Sequence, residues 1–163
     1  MVGSIICGVD ESASARGAAA VARGLSRKLG LRLVFVRVVD EGTSRETFEA
    51  AAERLELFMT DTSDAGSSTE WLVETGHPAD RLVAAAEDTD ASMIVVGSHG
   101  PRSSLLGSIS AEVSRRAPCP VVVVPPGAED GLSPGRAAPG DRDGRRVRNA
   151  GGIVRFELGA RQT

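Results

Sequence analysis

At 163 residues the chain fits one domain with an appendage; it is 41% apolar but only 3% aromatic, so Val, Leu, Ile and Ala must fill its core. A net charge of −3 excludes a global basic field, and with it any charge-based case for nucleic acid or an anionic membrane as partner. No apolar run approaches a membrane span, and the N-terminal MVGSIICGVD lacks the cationic region of a signal peptide, so the expected location is cytoplasmic.

Ile5 to Val9 is a short β-rich run ending at Asp10. Glu11, Ser12 and Ser14 are polar helix-start residues; Ala18, Val21, Ala22, Leu25 and Leu29 then recur at helical spacing until Gly30 stops them. Leu31 to Val39 is the second strand, continuously apolar apart from Arg32 and Arg37, as in a sheet covered on both faces. Thr43-Ser-Arg-Glu46 fits a capping box, followed by a helical stripe of Phe48, Ala51, Ala52, Leu55 and Met59. A turn over 61–68 leads to a third strand, Glu70 to Thr75, whose Trp71 reads as core. Gly76-His77-Pro78 ends that strand; His77 reads as a cap or turn residue, and Pro78 suits the first turn of a helix buried through Leu82, Val83 and Ala86.

Ser92 to Val96 is the fourth strand. Glycines at 97, 100 and 107 follow, and Ser108 opens a helix to Ala117. Strand, glycine loop and helix start together form the arrangement that cradles a phosphate, because glycine admits close approach and the helix N-terminus favours negative charge. Ser104, Ser108 and Ser110 add hydroxyl groups there; the alternative is an ordinary connection with Ser108 as its cap. Pro118-Cys119-Pro120 precedes the fifth strand, Val121 to Val124.

This alternation predicts an α/β fold: a five-stranded open parallel sheet with helices on both faces, in which ligands sit beyond the C-terminal strand ends where strand order reverses. Residues 1–126 form that domain. Residues 127–150, rich in Gly and Arg, read as a flexible linker, and residues 151–163 as a tail whose Ile153–Leu158 is an extra strand. Arg145, Arg146 and Arg148 read as a solvated part of the linker. Cys7 and Cys119 read as buried thiols, and no Cys/His spacing suggests a metal. There is no Gly-x-Ser-x-Gly elbow and no P-loop; Lys28 is the only lysine.

The pieces IICGVDES, VRVVD, GHPADRLVAAAEDTDASMIVVGSHG and LLGSISAEVSRRAPCPVVVVP, in that order and spacing, resemble the universal stress protein family over residues 4–126. The resemblance implies a Rossmann-like sheet of the adenine nucleotide alpha hydrolase type, a homodimer, and in some members a bound ATP or other adenine nucleotide, with or without Mg²⁺. Carried over by position, the site is Gly8, Val9 and Asp10 at the first strand end, with Asp10 on the ribose or adenine region and Gly8 where the family favours proline. Val38 offers backbone groups to the adenine edge. Gly97, Ser98, His99, Gly100 and Arg102 form the loop, with Arg102 either a phosphate partner or solvated. Gly107, Ser108, Ile109 and Ser110 meet the phosphates.

Six residues separate Gly100 from Gly107, about three fewer than in nucleotide-binding members, and Pro101 stiffens the loop. Two readings follow: a nucleotide-binding stress regulator, or a dimeric interaction module of the same fold that binds none. A third, slow ATPase or nucleotidyl transfer, would have only Asp10 and His99 as candidate groups. No catalytic or metal-binding residue is assigned. The expected dimer surfaces are the edge strand Val121–Val124 and the strand Ile153–Leu158.

Overall fold

The computed structural model describes residues 3–10, 12–60, 69–98, 107–128 and 155–157. Along the chain run β1 (Ser4–Gly8), α1 (Ala13–Leu29), β2 (Arg32–Val39), α2 (Arg45–Thr60), β3 (Thr69–Thr75), α3 (Pro78–Asp88), β4 (Met93–Gly97), α4 (Ser108–Arg116), β5 (Val121–Val124) and β6 (Arg155–Glu157). The sheet order is β3-β2-β1-β4-β5-β6. Its first five strands are parallel, which is the expected α/β architecture. The backbone of β6 runs antiparallel to β5, with Val122 opposite Phe156. The expected linker lies outside the described residues beyond position 128.

The apolar runs divide by parity, because successive side chains on a strand point to opposite faces. Ile5, Cys7, Leu33, Phe35, Val95, Val122 and Val124 pack on one face with Ala18, Ala22 of α1 and Leu55 of α2. Ile6, Val34, Val36, Ile94, Val96, Val121 and Val123 pack on the other with Leu82 and Ala86 of α3 and Val113 of α4. The sheet is therefore a buried layer between two helical pairs. Small residues let α1 sit close to it: Gly17, Ala18, Ala19, Ala22 and Gly24 are all buried. Phe35 is fully buried, and the Arg23 guanidinium lies 4.9 Å from its ring centroid.

Local chemistry sets the helix ends. Ser12 caps α1 by accepting from the Ala15 N–H at 3.2 Å, and Gly30 ends it at φ +65°. The cap of α2 is Ser44, one residue later than the sequence pattern suggests. Its hydroxyl accepts from the Thr47 N–H at 3.3 Å, while the Thr43 hydroxyl donates to the Asp40 carbonyl at 2.6 Å. Thr43 thus closes the preceding turn. Trp71 is also not in the core. It is 43% exposed because β3 is an edge strand, paired on one side only. Leu72 beside it is exposed as well.

Phe35→Ala is expected to cost about 3–5 kcal/mol in denaturant unfolding, and Trp71→Ala much less. Indole emission at Trp71, the only tryptophan, should be red-shifted and readily quenched by iodide.

Burial pushes the Cys7 thiol up from about 9 to about 12, against a smaller lowering by Arg23, and pushes Cys119 up to about 11. Keeping these thiols neutral contributes stability that is full below about pH 9 and lost as pH rises through the folded values. With no tyrosine and one lysine, few other groups titrate in that window. The unfolding free energy should therefore fall between about pH 9 and 12, with a shallower slope in Cys7→Ala. An identical slope in the variant would contradict this account.

Candidate functional site

Strand order reverses at β1: the chain proceeds outward to β2 and β3 on one side, then returns to β4 and β5 on the other. A crevice of about 120 Å³ opens beyond the C-terminal ends of β1, β2 and β4, as expected for such a reversal. It brings together seven of the residues anticipated from the sequence: Gly8, Val9, Asp10, Val38, Gly97, Ile109 and Ser110. Ser98, Gly107 and Ser108 lie on the adjoining turns without lining it, and His99, Gly100 and Arg102 fall outside the described residues.

Asp10 sits exposed at the rim. Its Oδ1 accepts from the Ser12 N–H at 2.8 Å, forming the turn that leads into the Ser12 cap. The N-terminal turn of α1 forms a polar wall: the Ser12 and Ser14 hydroxyls lie 3.1 Å apart, and Ser14 is buried. Gly97 is required opposite that wall, because a Cβ there would lie 2.8 Å from the Ser14 backbone carbonyl. Gly8 is similarly confined, since its Cβ would meet the Leu82 side chain at 3.0 Å.

Val38 presents main-chain groups. The Val9 N–H donates to the Val36 carbonyl at 3.0 Å, so even-numbered residues of β2 direct their polar groups toward β1. Odd-numbered Val39 faces β3 and accepts from Gly76. Two residues beyond Val36, Val38 directs its N–H and C=O past the end of β1, over the crevice.

The fourth wall is the start of α4. Gly107 occupies the cap position and has no side chain to satisfy the first-turn N–H groups. The buried Ser110 hydroxyl donates to the Gly107 carbonyl at 3.0 Å. Its proton is thus committed within the helix, and the N–H groups of the first turn are what α4 offers an anion.

The apolar floor was read from sequence only as core: Val36, Leu82 and Val96, with Pro78 at its edge. Pro78 and Leu82 are one turn apart on α3, so both reach the same place. Ser12 and Ser14, read as helix-start residues, also line it.

Beside the crevice, α3 and α4 are joined through Arg116, which donates to Asp80 and, at 2.9 Å, to Glu112. Arg116 holds the Asp80 carboxyl below its ordinary range. His77, Asp80 and Glu112 lie within 4.8 Å of one another, a spacing compatible with metal ligation, but Arg116 already engages both carboxylates, so the cluster reads as an ion-pair network. His77 occupies the cap position of α3 without making a side-chain cap bond; its Nε2 lies 3.8 Å from Glu112. No helix among the described residues is long and apolar enough to cross a membrane.

The sequence profile of the Universal stress protein family matches residues 1–125. A universal stress protein of Thermus aquaticus, encoded in the QAH/OAS sulfhydrylase 3′ region, is 34% identical over 136 residues, covering 76% of this chain and 99% of that protein. The solved structure of protein MJ0577 from Methanocaldococcus jannaschii is 25% identical, with a TM-score of 0.67 over 77% of this chain and 96% of that one. An Archaeoglobus fulgidus universal stress protein, solved in complex with dAMP, shares the fold at 24% identity and a TM-score of 0.61, covering 76% of this chain and 97% of that one. The family profile covers the chain from its first residue to the end of β5, a relative covered over 99% of its length is 34% identical, and the chain belongs to the universal stress protein family.

Proposed function

We propose that this chain is a stress-response regulator that binds an adenine nucleotide in the crevice between β1 and β4. One observation carries the reading: at the reversal of strand order, the outward-facing main chain of Val38, the rim carboxylate of Asp10 and the uncapped start of α4 surround one apolar floor. A base can lie against Val36, Leu82 and Val96, with its edge on the Val38 main chain. Asp10 is placed to accept from ribose hydroxyls, and the α4 N–H groups to donate to a phosphate. The dAMP complex of the Archaeoglobus fulgidus relative supports an AMP-type ligand. Among the described lining residues Asp10 is the only carboxylate, and with the Ser12 and Ser14 hydroxyls it supplies the oxygen groups at the rim.

The second reading, an interaction module without nucleotide, draws on the short spacing from Gly100 to Gly107. We place the chain as a homodimer in either case; Val121–Val124 is not the edge the sequence suggested, because β6 covers β5, so the surface concerned is the C-terminal strand, which would open β5 to a partner only by exchanging between copies.

Calorimetric titration of nucleotide-stripped protein with AMP and ATP, with and without Mg²⁺, is expected to give binding in about the micromolar range. Asp10→Ala should weaken it about tenfold. Ile109→Asp, which sets a negative charge at the start of α4, should weaken ATP more than adenosine. No heat and no thermal shift with either nucleotide would overturn the reading in favour of the second. Light scattering of the full chain should report a dimer, and removal of residues 127–163 should change association or solubility more than the melting temperature of the core.

A further inference from the structure

Helix α4 is lightly anchored. Its buried residues are Ser110, Val113 and Ser114, and Val113 is the only large side chain among them. Both serines spend their protons within the helix, Ser110 on the Gly107 carbonyl and Ser114 on the Ser110 carbonyl at 2.8 Å. The polar ties from α4 run instead to the start of α3. Arg116, in the last turn of α4, donates to Asp80 in the first turn of α3 and, at 2.9 Å, to Glu112. The second oxygen of Glu112, Oε2, lies 3.8 Å from Nε2 of His77, the cap residue of α3. The crevice is lined by the immediate neighbours of these groups. Pro78 follows His77, and Ile109 precedes Glu112 by one turn.

We propose that the side-chain clip of His77, Glu112, Arg116 and Asp80 positions the first turn of α4 for the phosphate of a bound nucleotide, and that protonation of His77 tightens the clip. The proposal rests on the nucleotide reading of the crevice. N–H groups are directional donors whose hold on an anion falls steeply with distance and angle, so the seat of the helix that carries them sets the phosphate affinity. Charge alone acts in the opposite sense, because Asp80 and Glu112 place carboxylates near an anion site. Among the described residues the charged groups around His77 are Asp80 and Arg81 of α3 and Glu112 and Arg116 of α4. The Arg81 guanidinium lies over Gly76 beyond the end of β3, where an added Cβ would be 2.9 Å from its Nε. At 3.8 Å a neutral imidazole makes no hydrogen bond to Glu112, whereas an imidazolium pairs with it and joins the two helix starts. Histidine changes charge between about pH 5 and 8, so acid closes the clip and base relaxes it.

AMP and adenosine are titrated calorimetrically into the full chain and into Asp80→Asn, Glu112→Gln and His77→Gln at about pH 6, 7 and 8. In parallel, the amide signals of Ile109 to Glu112 are followed over the same range in the unliganded proteins. The substituted side chains are partly exposed, so the variants keep the fold. Asp80→Asn is expected to weaken AMP about two- to fivefold and leave adenosine unchanged, although it removes a negative charge. Wild type should bind AMP about two- to fivefold more tightly than His77→Gln near pH 6 and equally near pH 8. The phosphate's own titration is common to both proteins and cancels in that ratio. The amide signals should move through one step that is lost in His77→Gln and reduced in Glu112→Gln. Equal or tighter AMP binding in Asp80→Asn would overturn the positioning role. A ratio independent of pH, or an undiminished step in Glu112→Gln, would overturn the part given to His77. A wild-type chain that keeps the amide step but binds no AMP would overturn the nucleotide reading, and the phosphate role with it, while the α3–α4 contact stands.

Discussion

The close approach of α1 to the end of β4 is the constraint on which the site depends. At Gly97 the strand passes so near the first turn of the helix that a single methyl group would collide with the Ser14 carbonyl. That contact fixes where α1 begins, and with it the Ser12 cap and the Asp10 turn that precedes it. It also places one wall of the crevice directly over the sheet's central strands. Interior packing has no slack to absorb a displaced backbone, so a larger residue at this point must move the helix, the strand or both.

Most of the fold could be read from the residues because the signals were redundant. Five apolar runs, each bounded by glycine, proline or aspartate, alternate with helical stripes, and only a covered parallel sheet uses all of them. Trp71 departed from expectation because hydrophobicity does not report position in the sheet: the same residue on β1 would be buried, and on the edge strand β3 it meets solvent. The α2 cap was displaced by one residue because Thr43 and Ser44 are both competent caps. The choice between them depends on the turn from Asp40, which the local pattern does not encode.

The site was legible where it lies on strand ends and turns, and obscure where it lies on helices. Gly8, Asp10, Val38 and Gly97 sit at punctuation points, whereas Pro78 and Leu82 belong to a helical stripe that reads the same whether it packs on the sheet or lines an opening. Ser110 shows a further limit, since a hydroxyl near a helix start is chemically able to face a ligand, yet here it donates to the Gly107 carbonyl.

Lys28 stands in the last turn of α1, exposed, while the first turn of the same helix lines the crevice. Seventeen residues at 1.5 Å each separate the two ends by about 25 Å. The chain's only lysine amine therefore lies at the end of α1 opposite the strand-end crevice. Acylation, cross-linking or conjugation at that amine would tether the molecule by its base and leave the strand-end crevice open to solution.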